Sequence, residues 1–335
     1  IYLNKSDFPF VHDLNRFLDL GHALQILSAG DKHALGQLVF AQVMTYLPLK
    51  AFSRMVQARR AQHKVKDFSC LDQFLALSFA QLTGRESLRD IEINLRVQRQ
   101  HFYHLGFRCK TISRNTLANA NRVRPWQVFA DLAHHLIGVA RPLYANDATS
   151  AELKSLMGAT VYALDATTID LCLSLFSWAP FRTTKAAIKL HTLMDLRGSI
   201  PSFIHISDGK MHDVKVLDIL AKQGYIEVGA YYVMDKAYVD FARLYQVHTA
   251  RAFFVTRAKS NMQFIVAQAF PVPMNTGLIS DQHIQLMGYN SYHRFPELIR
   301  QVTYIDPETG KTLEFLTNNM TLSALTICAL YKQRW

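Results

Sequence analysis

Asp165 closes the apolar run TVYALD and Asp235 closes YYVMD, each at a point where a strand that otherwise reads as buried should carry no charge. A carboxylate in such a place is costly unless it is hydrogen-bonded or bound to a cation. Either aspartate alone reads as a turn or helix-capping residue. The pair reads differently. Each is followed by a short tag bearing hydroxyl or aromatic groups, ATTIDL after Asp165 and KAYVDF after Asp235, within a run of three strands, helix, strand, helix, strand. In that order the first and fourth strands can lie side by side in one mixed sheet. Their terminal carboxylates would then face one spot and share a divalent ion.

The elements that must hold them follow a change of texture at about residue 158. Before it the chain reads as helical, with apolar positions at threes and fours in FVHDLNRFLDLGHAL, LGQLVFAQVMTYL, CLDQFLALSFAQL and WQVFADLAHHLIGVA. CLDQFLALSFAQLTGRESLRDIEINL reads as a helix, a turn at Gly84 and a second helix, and ISRNTLANANRVR as a short basic helix capped by Ser113. A helix-turn-helix reader and a plain helical bundle both fit that pattern. After residue 158 come the strands ATVYALD, TIDLCLSL, AAIKLHTLMD and SIPSFIHIS, then helix HDVKVLDILAK, strand AYYVMD, helix VDFARLYQVHT and strand RAFFVTRA. Further strands are expected at HIQLMGY, LIRQVTYID and KTLEFLT, and a last helix in TLSALTICALYKQRW, which runs on to Trp335 without a stop signal. The expected fold class is therefore α/β, preceded by a mainly helical N-terminal region.

Charge narrows the partners. The chain carries +11 overall. Residues 50 to 124 hold fifteen Lys and Arg against five acids, a surplus of ten, so almost the whole excess is local. That concentration suits a polyanion, because each cation that neutralises a phosphate releases a condensed counterion. Four cysteines lie far apart without zinc-ligand spacing and read as buried thiols. No uninterrupted apolar run reaches the length of a membrane span, and the N-terminus lacks the order of a signal peptide, so a cytoplasmic protein is expected.

Several blocks together resemble a family: LDATTIDL, KLHTLMDLRGSIPSFIHISDGKMHD, MDKAYVDFARL, FFVTRAK, FLTNN and LYKQRW. From about residue 111 onward the chain is similar to insertion-sequence transposases of the DDE type, in the group named after insertion sequence four. LNKSDFPFVHDLNRFL resembles an accessory domain of some members. The resemblance implies a ribonuclease H-like mixed sheet with flanking helices and a β-rich insertion at 259–318. It also implies an organisation of 1–75 (accessory), 76–150 (basic, DNA-binding) and 151–335 (catalytic). Asp165 and Asp235 would be the first two metal ligands and catalytic carboxylates, with Mg²⁺ or Mn²⁺ as cofactor. Tyr331 and Arg334 would open the block that carries the third, a glutamate four residues past Arg334 and so beyond Trp335. Where many relatives read D-R-G-Y, this chain has Asp235, Lys236, Ala237 and Tyr238.

The implied reaction is Mg²⁺-dependent cleavage and strand transfer, for which two ions about 3.5–4 Å apart serve the attacking and leaving oxygens. The implied partners are double-stranded DNA, as transposon terminal repeats and target, and a second copy of the chain in a homodimer on DNA, with no membrane. In a bacterial cell this places the protein in the cytoplasm, at the nucleoid when bound. The residues expected at DNA are Arg85, Arg89, Arg96, Arg114, Arg122, Arg124, Lys236, Tyr238, Arg257, Lys259, Tyr331 and Arg334. His212 with Asp213 reads equally as a cap and as a participant in chemistry; His191 and His205 read as strand histidines; Lys185, Lys189 and Lys210 read as phosphate contacts or solvated charges, and Trp178 as packing. A chain truncated before its glutamate, expected to lack strand transfer, could instead be a DNA-binding inhibitor. A ribonuclease H-like nuclease is the other alternative.

Overall fold

The structure is a computed structural model describing residues 39–62, 65–144, 156, 159–171, 180–182 and 185–334. The stretch LNKSDFPFVHDLNRFL and Trp178 lie outside these residues. The chain divides into two compact units, residues 1–138 and 139–335.

In the first unit the described helices are α1 (Val39–Met44), α2 (Leu49–Ala58), α3 (Cys70–Leu82), α4 (Leu88–Val97), α5 (Arg114–Val123) and α6 (Gln127–Ala140), which runs across the unit boundary. Their starts are written in polar caps. Ser69 and Asp72 form a reciprocal capping box on α3, and the hydroxyls of Ser87 and Ser113 accept the backbone N–H of Asp90 and Thr116. Apolar spacing then decides what packs. Leu75, Ala76 and Ala80 of α3, Ile91 and Leu95 of α4, and Leu117 and Ala120 of α5 share one core. Each fully buried leucine there contributes about 1.5–3 kcal/mol of burial free energy. A second cluster joins Phe52 and Val56 of α2 to Val128 and Leu132 of α6.

The second unit is built on one mixed sheet of β1 (Val161–Leu171), β2 (Pro180–Arg182), β3 (Lys185–Asp195), β4 (Ile200–Asp208), β5 (Tyr231–Met234), β6 (Phe253–Arg257), β7 (Phe264–Phe270), β8 (Leu278–Leu286), β9 (Ile299–Ile305) and β10 (Thr312–Thr317). The strand order is β2-β3-β1-β5-β6-β10-β9-β8-β7, and β4 also pairs with β3, on the edge away from β1. β1, β3 and β4 form antiparallel ladders, whereas β1, β5 and β6 run parallel, as the expected ribonuclease H-like fold requires. The parallel crossovers are α7 (Val216–Lys222) and α8 (Phe241–Thr249). Val216, Leu217, Leu220, Leu244 and Val247 cover the sheet face that bears Tyr162, Leu164, Tyr232, Met234 and Phe254. The opposite face, with Val161, Tyr231, Val233 and Val255, packs on α10 (Ala324–Lys332) through Ile327, Cys328 and Tyr331. The short α9 (Tyr289–Arg294) lies between β8 and β9.

One expectation is corrected. ATVYALD and TIDLCLSL are not separate strands: β1 runs through Asp165, which stands opposite Thr192, and its ladder with β3 continues to Leu171 opposite Ala186. The alternation across Thr167 and Ile169 keeps the backbone extended through this stretch. In the 259–318 segment, expected to be β-rich, β7 to β10 join the same sheet, because β10 pairs with β6 from Phe315↔Arg257 to Thr317↔Val255. Among the described residues no helix is long and apolar enough to cross a membrane.

Candidate active site

Side chains alternate along a strand, so Asp165 shares the face of Val161 and Ala163, and Asp235 follows Tyr231 and Val233. β1 and β5 pair in parallel from Val161↔Tyr231 to Leu164↔Met234, so the next position on each chain is an aspartate. The two carboxylates thus emerge together where the parallel pairing ends, on the face that α10 covers. Asp235 leaves the sheet as the cap of a short 3₁₀ turn: its Oδ1 accepts the Ala237 N–H at 3.1 Å, and its carbonyl accepts from Thr256 Oγ1 at 3.0 Å.

Arg334 completes the arrangement. Its side chain is 1 % exposed, with Nη1 3.9 Å from Asp165 Oδ1 and Nη2 3.5 Å from Asp235 Oδ2. The FLTNN block explains why it is there. Asn318 ties Phe254 N–H and the Ala252 carbonyl through its amide, at 2.9 and 2.8 Å. Asn319 accepts the N–H groups of Thr321 and Leu322 and donates to the Tyr231 hydroxyl at 3.0 Å. These buried amides fix the chain entering α10, Ser323 caps that helix through Thr326 N–H, and the helix delivers Tyr331 and Arg334 to the strand ends. Tyr331 is buried against Phe315, and the Arg334 guanidinium lies 5.2 Å from its ring centre.

Electrostatically the site is tight. Burial pushes the Asp165 carboxyl above its ordinary range, and the charges of Asp235 and Asp213 add to this, while the Ala166 backbone and Arg334 oppose it. The Tyr238 side chain is 1 % exposed, and its buried hydroxyl has no hydrogen-bond partner. Burial, then Asp213 and Asp165, push its ionisation far up, so it stands as a neutral donor. Asp213 is held by Lys189 Nζ at 2.8 Å, which also donates to the Met211 carbonyl at 2.9 Å. His191 is fully buried on β3 with Nε2 3.0 Å from Ser207 Oγ.

Of the other residues expected around this site, Arg257 is half-buried at the end of β6 and its charge acts on Tyr331. Lys236 and Lys259 are exposed, with Lys259 Nζ donating to the Val239 carbonyl at 2.8 Å. Lys210 and His212 are exposed, and His212 makes no side-chain cap bond; His205 stacks on Phe203. The side chain of Lys185 lies outside the described residues. In the first unit, Arg89, Arg96, Arg114 and Arg122 are exposed, and Arg85 bonds Thr83 Oγ1 at 3.2 Å. Arg124 spends its donors internally, on the carbonyls of Phe68 and Ser69 and on Gln73 Oε1.

Sequence reasoning left Asp213 between cap and chemistry and gave Tyr238 only a DNA contact. The presence of Lys189, Asp213 and Tyr238 around Asp165 has no local signature, since it arises from three separated segments. Asp165 and Asp235 are the residues here that could offer hard oxygen donors to a Mg²⁺ or Mn²⁺ ion. Among the described residues no group of three His, Cys, Asp or Glu side chains is placed to hold a metal ion.

Residues 157–335, more than half of the chain, match the family described as Transposase DDE domain, and residues 35–108 match a domain of unknown function (DUF4372). The chain is 30 % identical over 223 residues to a putative transposase, y4zB, of Sinorhizobium fredii, covering 65 % of this chain and 58 % of that protein. It is 26 % identical over 174 residues to a probable transposase for insertion sequence element IS5377 of Geobacillus stearothermophilus, covering 51 % of this chain and 44 % of that one. The chain thus spans about half the length of these curated relatives. Among solved structures, the piggyBac transposase synaptic complex with hairpin DNA aligns with a TM-score of 0.41 and 10 % identity, over 87 % of this chain and 64 % of that one.

Proposed function

Because this chain belongs to the transposase DDE domain family, we propose that it takes part in Mg²⁺- or Mn²⁺-dependent cleavage and joining of DNA, with Asp165 and Asp235 as metal-holding carboxylates. The observation that carries this is the β1–β5 register, in which Leu164↔Met234 makes the two aspartates the next pair at the end of parallel pairing. Bound divalent ions would activate the attacking water or 3′-hydroxyl and stabilise the leaving oxygen. The chain's own residues do the rest. Asp165 and Asp235 supply the oxygens, Arg334 balances their charge and orients them, and Tyr238 offers a neutral hydroxyl beside them. Lys236, Arg257 and Lys259 supply cations for the phosphates around the strand ends. The third carboxylate that the insertion-sequence resemblance implies falls past Trp335. DNA ends and target, a homodimer on DNA and a place in the cytoplasm at the nucleoid belong to the same reading.

A second reading is favoured by the Arg334 guanidinium lying within 3.9 and 3.5 Å of the two carboxylates. A cation already there competes with a metal, and such a chain would occupy DNA without cutting it. One experiment separates the readings. Thermal unfolding is measured with and without Mn²⁺ for the chain, Asp165→Asn and Asp235→Asn. A labelled 3′-hydroxyl donor and a target duplex are then assayed with the chain as it stands and extended to place Glu four residues past Arg334. An ion at a hundred times its Kd stabilises the folded chain by about 2.7 kcal/mol, and the proposal expects that gain to vanish in both variants and joining to depend on both aspartates. DNA binding with neither metal gain nor joining supports the second reading; cleavage without joining identifies a hydrolytic nuclease; an equal metal gain in all three proteins refutes the site.

A further inference from the structure

The solvent-facing side of α5 carries side chains that helix stability does not explain. Leu117 and Ala120 turn into the core of the first unit, and the opposite stripe consists of Asn115, Ala118, Asn119 and Arg122, all exposed at i, i+3, i+4 and i+7. Asparagine is a poor helix former, so two of them on an exposed face cost stability relative to alanine. The third asparagine of the helix has a structural task, since Asn121 Oδ1 accepts from Gln73 Nε2 at 2.7 Å. Asn115 and Asn119 have no such task; Asn119 Oδ1 accepts from Arg122 Nη2 at 3.0 Å, which holds that guanidinium against the outer face. An ordinary solvated face would mix Lys with Glu. Here no acid occurs from residue 93 to residue 130, a stretch that holds seven Lys and Arg.

The helix is also rigidly held, as a reading surface must be. Ser113 caps its start, Arg114 N–H donates to Glu92 Oε2 at 3.1 Å, and at its end Arg124 is strapped to the carbonyls of Phe68 and Ser69. Beside it lies a groove of about 680 Å³ whose lining includes Arg60, Lys66, Asn115 and Asn119.

We propose that α5 is the base-reading helix of the first unit: it enters the major groove of double-stranded DNA, with Asn115, Asn119 and Arg122 meeting base edges, Ala118 meeting a thymine methyl, and Arg60 and Lys66 meeting the phosphates alongside. The chemistry is specific. Asparagine pairs in bidentate fashion with adenine N6 and N7, arginine with guanine O6 and N7, and a small apolar side chain with the thymine methyl. The proposal rests on the reading of this chain as a DNA-binding protein, and it adds which residues choose the sequence.

The test is selection of the full chain against a random-sequence duplex library at two salt concentrations, repeated with Asn119→Ala, Arg122→Ala and, as a phosphate-contact control, Lys66→Ala. All three positions are exposed, and circular dichroism checks folding. The expected result is a defined preferred site for the chain. Asn119→Ala and Arg122→Ala should each lose roughly 5- to 150-fold of preference, confined to one or two base pairs. Lys66→Ala should weaken all sequences alike and reduce the salt slope by about one ion. Binding without any sequence preference, or a preference unchanged in both α5 variants, overturns the assignment of α5 while leaving DNA binding standing. No binding to any duplex at low salt overturns the DNA reading itself, and this inference with it.

Discussion

Replacing His191 by glutamine should remove a large part of the acid sensitivity of the sheet that carries the two aspartates. His191 has no exposed surface, one ring nitrogen meets Ser207 Oγ at 3.0 Å, and the other has no partner. Burial, His205 and Lys189 lower its pKa to about 4, with Asp213 alone pulling the other way. In the unfolded chain the same imidazole titrates near its ordinary value of about 6.5. The folded value is the depressed one, so this stability is fully present above about pH 6.5 and is lost as pH falls towards about 4, where only the unfolded state takes up the proton. The whole difference is roughly 3 kcal/mol, and the part spent between about pH 7.5 and about pH 5 is roughly 2 kcal/mol. Urea unfolding read by pulse-labelled hydrogen exchange on β3 and β4 peptides isolates this sheet from the helical unit. Over that interval His191→Gln should lose roughly 2 kcal/mol less than the parent chain, since every other titrating group is common to both. Equal losses in the two proteins would show that the imidazole is already protonated in the fold, and the argument from burial would fail.

Tyr238→Phe should leave stability unchanged or raise it by up to about 3 kcal/mol, because it removes a buried hydroxyl without a partner; a loss above about 1 kcal/mol in a urea titration would reveal a bond not seen here. Arg300 and Asp281 form a buried bidentate pair at 2.8 and 2.7 Å, so Arg300→Met alone should cost about 3–5 kcal/mol, and adding Asp281→Leu should recover much of it in the same titration. Arg124→Ala should destabilise the helical unit by about 2 kcal/mol through its lost bonds to Phe68, Ser69 and Gln73. Arg122→Ala, on the exposed face, should stay within about 0.5 kcal/mol by thermal unfolding; similar costs for the two would contradict the division between strap and reader.

What was legible in the sequence is what covalent geometry and local caps decide. CLDQFLALSFAQL is a helix over just those residues, Ser113 caps the helix expected to follow it, and Asp165 and Asp235 fall in phase with the apolar face of their strands. Strand ends were less legible. β1 continues past Asp165 because its ladder with β3 persists, and β7, FIVAQAF, went unread because an exposed edge strand lacks the buried face that marks the others. Only the tertiary structure decided the meeting itself. The parallel register that brings Asp165 beside Asp235, the buried Asn318 and Asn319 that aim α10, and the Arg334 guanidinium between the carboxylates are set by pairings among segments far apart in the chain. The physical reason is that side-chain period is a property of a few consecutive residues, whereas register depends on which distant faces exclude water together.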